Sequence, residues 1–110
     1  MKRVLFDENL PRLLRRKLPD FEIRTVQEEG WGSFRNADLL RRAEEGNFDV
    51  LLTADRRMQY QQKLASFAIG VVVTSPRDFN SNWLEGVTVQ LRAAIEEVSP
   101  GEVLHVTITP

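Results

Sequence analysis

Residues 50–55, Val-Leu-Leu-Thr-Ala-Asp, predict a buried strand that ends in a carboxylate. A similar stretch opens the chain, where Arg-Val-Leu-Phe at positions 3–6 is followed by Asp7. Neither apolar run alternates with polar residues, which is typical of strands covered on both faces in a parallel sheet. Ligands bind beyond the carboxyl ends of such strands. We therefore expect Asp7 and Asp55 to face each other across a crevice at one edge of the sheet.

Three further strands are predicted around these two. Residues 69–74 form another continuous apolar run, which indicates a third central strand. Residues 21–26 and 103–109 alternate between apolar and polar side chains, as strands with one wet face do. Two edge strands and three central ones favour the strand order 2-1-3-4-5.

Helical patterns lie between the predicted strands. Strands that alternate with helices indicate an α/β fold, here a three-layer α/β/α sandwich around a mostly parallel five-stranded sheet. Asn36 is predicted to cap the second helix, and Asn82 with Glu85 resembles a capping box at the start of the last one. The predicted helices span residues 11–18, 37–45, 57–64 and 83–98, and in the first of them Leu10, Leu13, Leu14 and Leu18 share one face.

Length and composition indicate one ordinary globular domain over residues 1–110. The chain has 42% hydrophobic and 28% charged residues, a formal net charge of −1 and no cysteine, so disulfides and thiolate metal sites are excluded. Its first apolar residues are followed at once by acids, unlike a signal peptide, and no apolar run is long enough to span a bilayer. We expect a cytoplasmic protein without a membrane segment.

Three carboxylates are candidates for a shared metal site. Asp7 and Asp55 end neighbouring strands, and Asp38 opens the helix before the Asp55 strand, on a loop that can reach the same rim. Carboxylates without histidine or cysteine suit Mg²⁺ or Mn²⁺ and phosphoryl chemistry. Among nearby polar residues, Thr53 can orient a carboxylate or bind phosphate, and it is equally consistent with an ordinary β-branched strand residue.

Each acid also has a purely structural interpretation. Asp55 can cap a helix that starts near Arg56. Asp38 in a first helical turn gains from the helix dipole and can pair with Arg42, four residues on. A row of arginines at positions 12, 15 and 16 can steer RNA or form a solvated helix face. These alternatives stay open at the level of the sequence.

A set of short motifs resembles a known family. The chain resembles the small PIN-like proteins, relatives of the PIN-domain ribonuclease toxins of bacterial toxin–antitoxin pairs, over about residues 1–75. The resemblance rests on the motifs Asp7-Glu8-Asn9-Leu10-Pro11, Gly30-Trp31-Gly32, Asn36-Ala37-Asp38-Leu39-Leu40, Thr53-Ala54-Asp55 and Gln61-Gln62-Lys63-Leu64.

The resemblance implies a metal-dependent endoribonuclease. PIN nucleases hold Mg²⁺ or Mn²⁺ with three or four acids and cut RNA, which marks Asp7 and Asp55 as metal ligands and Asp38 as standing where the family more often has Glu. It also implies RNA as the substrate and an antitoxin protein as a partner, and a homodimer stays open. Further residues expected near the metal or the substrate are Glu8, Asn9, Thr53, Arg57 and Gln61.

One position departs from the family pattern. Relatives commonly carry a second acid two residues after the strand-end Asp, and here that residue is Arg57. If Arg57 pairs with a carboxylate, an inactive PIN-like scaffold that only binds a partner is favoured. If it contacts substrate phosphate, it assists catalysis. A receiver-like phospho-acceptor domain is a third hypothesis, although residues 103–110 lack the lysine that receivers need at the end of their fifth strand.

Overall fold

A single five-stranded parallel sheet forms the centre of the molecule. The computed structural model describes residues 1–8, 10–60, 63–75 and 84–106. The sheet order is β2-β1-β3-β4-β5, and each neighbouring pair is parallel, which confirms the predicted order. The strands are Arg3–Phe6 (β1), Glu22–Thr25 (β2), Val50–Thr53 (β3), Gly70–Thr74 (β4) and Val103–Val106 (β5).

Helices cover both faces of the sheet, so the three-layer α/β/α architecture is confirmed. Helices α1 and α4 pack on one face, and α2, α3 and two 3₁₀ turns pack on the other. None of the helices in the described part of the chain has the length and apolar character that a membrane crossing requires. Their bounds are Arg12–Arg16 (α1), Val26–Glu29 (α2), Asn36–Glu45 (α3) and Leu84–Glu97 (α4), and the 3₁₀ turns are Arg56–Tyr60 and Leu64–Ser66.

The continuous apolar runs of the central strands reflect burial on both sheet faces. In β1, Val4 and Phe6 join the core beneath α1 and α4, whereas Leu5 joins the core beneath α3. In β3, Leu51 likewise points away from Val50 and Leu52. Successive side chains of a strand point to opposite faces, so a strand covered on both sides is apolar throughout.

Several local predictions were wrong. Helix α1 ends at Arg16, two residues before the predicted end, and Leu13, which was expected on the buried face with Leu14 and Leu18, is 49% exposed. Arg35, and not Asn36, occupies the N-cap position of α3, and Asn36 has a φ of +50°. The helix predicted over 57–64 is replaced, among the described residues, by the two 3₁₀ turns. At the start of the first turn, the Met58 N–H donates to the Asp55 carbonyl three residues earlier (3.2 Å), which is the spacing of a 3₁₀ helix.

Helix α2 was not predicted, although its signal is present in the sequence. The Thr25 side chain accepts a hydrogen bond from the Glu28 N–H (3.1 Å), and the Glu28 carboxylate accepts one from the Thr25 N–H (2.8 Å). This reciprocal pair is a capping box, which a threonine followed three residues later by glutamate indicates. The predicted cap at Asn82, the helix start at residue 83 and strand residues 107–109 lie outside the described residues.

Two glycines provide a matched test of this packing. A Cβ atom on Gly70 would lie 2.8 Å from Cγ1 of Val98 and 3.0 Å from the Ser99 carbonyl oxygen, because the end of α4 crosses β4 there. We expect Gly70→Ala to lower the free energy of unfolding by about 1–3 kcal/mol. A Cβ on Gly86, in α4, meets no atom of the described chain within 4 Å, and Gly86→Ala should raise stability by about 0.5–1 kcal/mol. Urea unfolding measures the free energy of unfolding of both variants. Equal values for Gly70→Ala and Gly86→Ala would contradict the close packing at Gly70.

Candidate active site

The carboxyl ends of β1 and β3 bring the first and last acids of the sequence prediction to one edge. Phe6 pairs with Leu52, and the N–H of Asp7 donates to the Leu52 carbonyl (3.0 Å), so β1 and β3 stay paired up to Asp7. Asp55 lies two residues after Thr53, which is the last residue of β3. The two aspartates therefore leave neighbouring strands at the same edge, which is where parallel sheets bind ligands.

The Thr53 hydroxyl links the two aspartates. It donates to Oδ2 of Asp7 (2.7 Å) and accepts a hydrogen bond from the Asp55 N–H (3.0 Å). Thr53 is fully buried, so its rotamer is fixed by packing. The other oxygen of Asp7, Oδ1, accepts the Glu8 N–H (2.8 Å). Thr53 thus orients the Asp7 carboxylate.

Arg57 binds the Asp55 carboxylate through both oxygens. Its Nε donates to Oδ1 and its Nη2 to Oδ2, each at 3.0 Å, and its backbone N–H also donates to Oδ1 (2.9 Å). The guanidinium hydrogen bond is the largest cause of a lowered pKa for Asp55, and burial of the carboxylate opposes it. The backbone bond means that Asp55 also caps the 3₁₀ turn that follows β3. Of the two contacts considered for Arg57, the structure contains the carboxylate pair.

A small polar depression lies between these groups. It has a volume of about 140 Å³ and is lined by Asp7, Glu8, Asp55, Arg35 and Arg57 among others. Nη1 of Arg35 lies 3.6 Å from a Glu8 carboxylate oxygen. Arg35 was missed at the sequence level, and the only signal for it was its place in the loop expected to reach this rim.

Asp38 does not line this depression. Its side chain is 68% exposed and accepts a hydrogen bond from Arg41 (3.2 Å). Arg42, the expected partner, instead places its guanidinium 4.6 Å from the centre of the Phe34 ring. The loop does reach the rim, since Phe34 and Arg35 line the depression, but the Asp38 carboxylate does not. Within residues 1–8, 10–60, 63–75 and 84–106, no three His, Asp or Glu side chains are grouped closely enough to hold a metal ion.

The donors at the edge suit one hard cation and not two. Mg²⁺ is commonly held by one or two carboxylates, with water and substrate phosphate completing its shell. Asp7 and Asp55 supply two carboxylates to the lining of the depression, and Asp55 is available to a cation only if Arg57 releases it. Asn9 and Gln61, which were expected near the substrate, lie outside the described residues.

Comparisons of this chain with protein-family models, with curated proteins and with solved structures found no match. The fold alone does not imply an activity, because sheets of this architecture support many unrelated functions. A function must therefore be argued from the geometry of the edge and from the motifs of the sequence.

Proposed function

We propose that this chain is a PIN-like, metal-dependent endoribonuclease that holds one Mg²⁺ or Mn²⁺ between Asp7 and Asp55. The observation that carries the proposal is the Thr53 hydroxyl, which joins the two aspartates at the ends of paired strands. A buried hydroxyl that fixes one carboxylate and contacts the backbone of the other residue provides the outer support that metal ligands need. The resemblance of residues 1–75 to the PIN-like proteins supports the same reaction.

The residues of the depression have distinct roles in this proposal. A bound divalent ion would supply Lewis-acid polarisation of the scissile phosphodiester. Thr53 keeps the Asp7 carboxylate in position, and Arg35 offsets the charge of Glu8. Arg57, with its side chain 79% exposed, can exchange Asp55 for a phosphate oxygen of the substrate, since its planar fork fits phosphate as well as carboxylate.

The biological setting of the proposal follows from the resemblance. We propose that the chain is the toxin of a toxin–antitoxin pair, with RNA as its substrate and an antitoxin protein as its partner in the cytoplasm. A homodimer is compatible with this proposal.

Partner binding without catalysis is the second candidate function. It is favoured by the Arg57 fork, which occupies both oxygens of Asp55. A carboxylate held in this way is a poor metal ligand, because the cation must compete with a guanidinium. In this candidate the edge binds a protein partner, and Asp55 serves to cap the 3₁₀ turn.

Mn²⁺ titration of the ¹⁵N-labelled protein separates the two functions. We expect paramagnetic broadening of the amides of Asp7, Glu8 and Asp55 before that of Asp38. Asp55→Asn should weaken Mn²⁺ binding by about tenfold or more, because an inner ligand is lost. Asp38→Asn removes the same charge from an outward-facing side chain and is the matched control. Broadening that begins at Asp38, or that is uniform over the surface, would contradict the proposed site.

A further inference from the structure

A larger cavity lies on the other side of Asp7 from the depression. Its volume is about 510 Å³, which is in the range of sites for small molecules and nucleotides. The carboxyl ends of β1 and β2 form its floor, and α1 and α2 form its walls. Asp7 and Glu8 line both this cavity and the depression, so the two spaces meet at the proposed metal ligand.

One wall of the cavity is electrically balanced and fixed. Nη1 of Arg15 donates to Glu28 (2.9 Å), and its Nη2 donates to the Ile23 carbonyl (2.7 Å). Glu28 is itself held by the capping box with Thr25. Arg15 and Glu28 therefore shape the cavity but leave little net charge for a ligand.

Two other arginines give the cavity its available positive charge. Arg12 and Arg16 lie one helical turn apart on α1, and both side chains line the cavity and are exposed. Neither guanidinium makes a hydrogen bond or ion pair with another residue in the described part of the chain. Cations four residues apart on a helix are neighbours on its surface, so both can reach one anionic group.

The rest of the lining combines the carboxylates of Asp7 and Glu8, at the end of the cavity next to the depression, with apolar and neutral side chains. Leu10 and Pro11, which are half-buried, supply apolar contacts, and Thr25 and Gln27 supply polar ones, whereas Phe6 at the floor is only 2% exposed. An apolar surface beside two free cations matches a nucleotide, which presents a flat base and an anionic phosphate. A small anion alone would leave the apolar surface unused.

We infer that this cavity binds a nucleotide unit of single-stranded RNA next to the bond positioned at Asp7, with its phosphate between Arg12 and Arg16. The inference rests on the proposed function for the identity of the strand. A strand that crosses Asp7 would place one nucleotide in the cavity and its neighbouring phosphate over the depression. The base would lie against Leu10 and Pro11.

The test is the binding of a short fluorescein-labelled oligoribonucleotide to the full chain in EDTA, followed by anisotropy at several salt concentrations. We expect Arg12→Ala and Arg16→Ala each to weaken binding by about tenfold. Each should also reduce the steepness of the plot of log binding constant against log salt concentration (the salt slope) by about 0.7. This is the value for one phosphate contact on a single strand. Arg41→Ala is the matched control, because it removes the same charge from α3, outside the cavity. It should change neither the RNA affinity nor the salt slope.

Lysine variants separate charge from packing. Arg12→Lys and Arg16→Lys should retain the salt slope, because each keeps its cation. An Arg41→Ala effect equal to that of Arg12→Ala, or no binding by the parent chain at low salt, would overturn the inference. Binding that depends on Arg12 and Arg16 without any Mn²⁺-dependent cleavage would support the cavity and reject the nuclease. Mn²⁺-dependent cleavage by a chain whose RNA binding is unchanged in Arg12→Ala and Arg16→Ala would support the nuclease and reject the cavity as a nucleotide site.

Discussion

Asp7→Asn is expected to reduce the proposed Mn²⁺-dependent RNA cleavage by on the order of a hundredfold or more, because it removes a charged ligand of the proposed metal site. The folded structure should survive this change. The asparagine side chain keeps an oxygen that can accept the Thr53 hydroxyl, so the buried hydroxyl stays paired. The loss should therefore appear in activity and metal affinity and not in stability.

The measurement is cleavage of a labelled RNA by parent and variant proteins across a Mn²⁺ titration, with urea unfolding in parallel. Asp38→Asn is the matched control, because it removes the same charge from a carboxylate that pairs outward with Arg41. We expect the Asp38→Asn protein to retain the activity of the parent. Equal cleavage by all three proteins would show that the activity does not come from this edge.

Arg57→Asp is expected to raise Mn²⁺ affinity by about tenfold, because it frees Asp55 and adds a carboxylate beside it. The change also restores the acid that the resemblance implies at this position. We expect RNA cleavage to rise with metal affinity. Arg56→Asp is the control, since it makes the same charge change one residue away, and the hydrogen bonds on Asp55 come from Arg57.

Two outcomes would contradict this expectation. Loss of cleavage in Arg57→Asp, from a measurably active parent, would show that Arg57 contacts the substrate during the reaction. An equal gain from Arg56→Asp would show a general effect of charge. If the parent, Arg57→Asp and Asp7→Asn proteins are equally inert on RNA, partner binding becomes the better account of the chain.

The Arg57–Asp55 pair also predicts a pH dependence. The pair lowers the pKa of Asp55 in the folded protein, so its contribution to stability is present above the ordinary pKa of aspartate. That contribution is lost as the pH falls through the lowered value. In Arg57→Ala the pKa of Asp55 should move back toward its ordinary value. A carboxyl NMR titration of Asp55 in both proteins measures the shift, and identical titration curves would contradict the pair.

The sheet could be predicted from the order and pattern of the apolar residues. Continuous apolar runs identified β1, β3 and β4 as central strands, and alternation identified β2 and β5 as edges. Successive side chains of a strand point to opposite faces of the sheet. A continuous apolar run therefore indicates a strand buried on both faces, and an alternating run indicates a strand buried on one. Strand order and the meeting of Asp7 and Asp55 at one edge followed from that assignment.

The partners of the charged side chains could not be predicted in this way, because they depend on the fold. The sequence allowed Asp38 to reach the rim and Arg57 to face either a carboxylate or a phosphate, but Asp38 pairs with Arg41 and Arg57 binds Asp55. It also did not indicate that Arg12 and Arg16 line a cavity beside Asp7. Apolar periodicity fixes which face of an element is buried, whereas a long charged side chain can take any of several partners of similar energy. The choice among them depends on which residues distant in sequence are brought close by the fold.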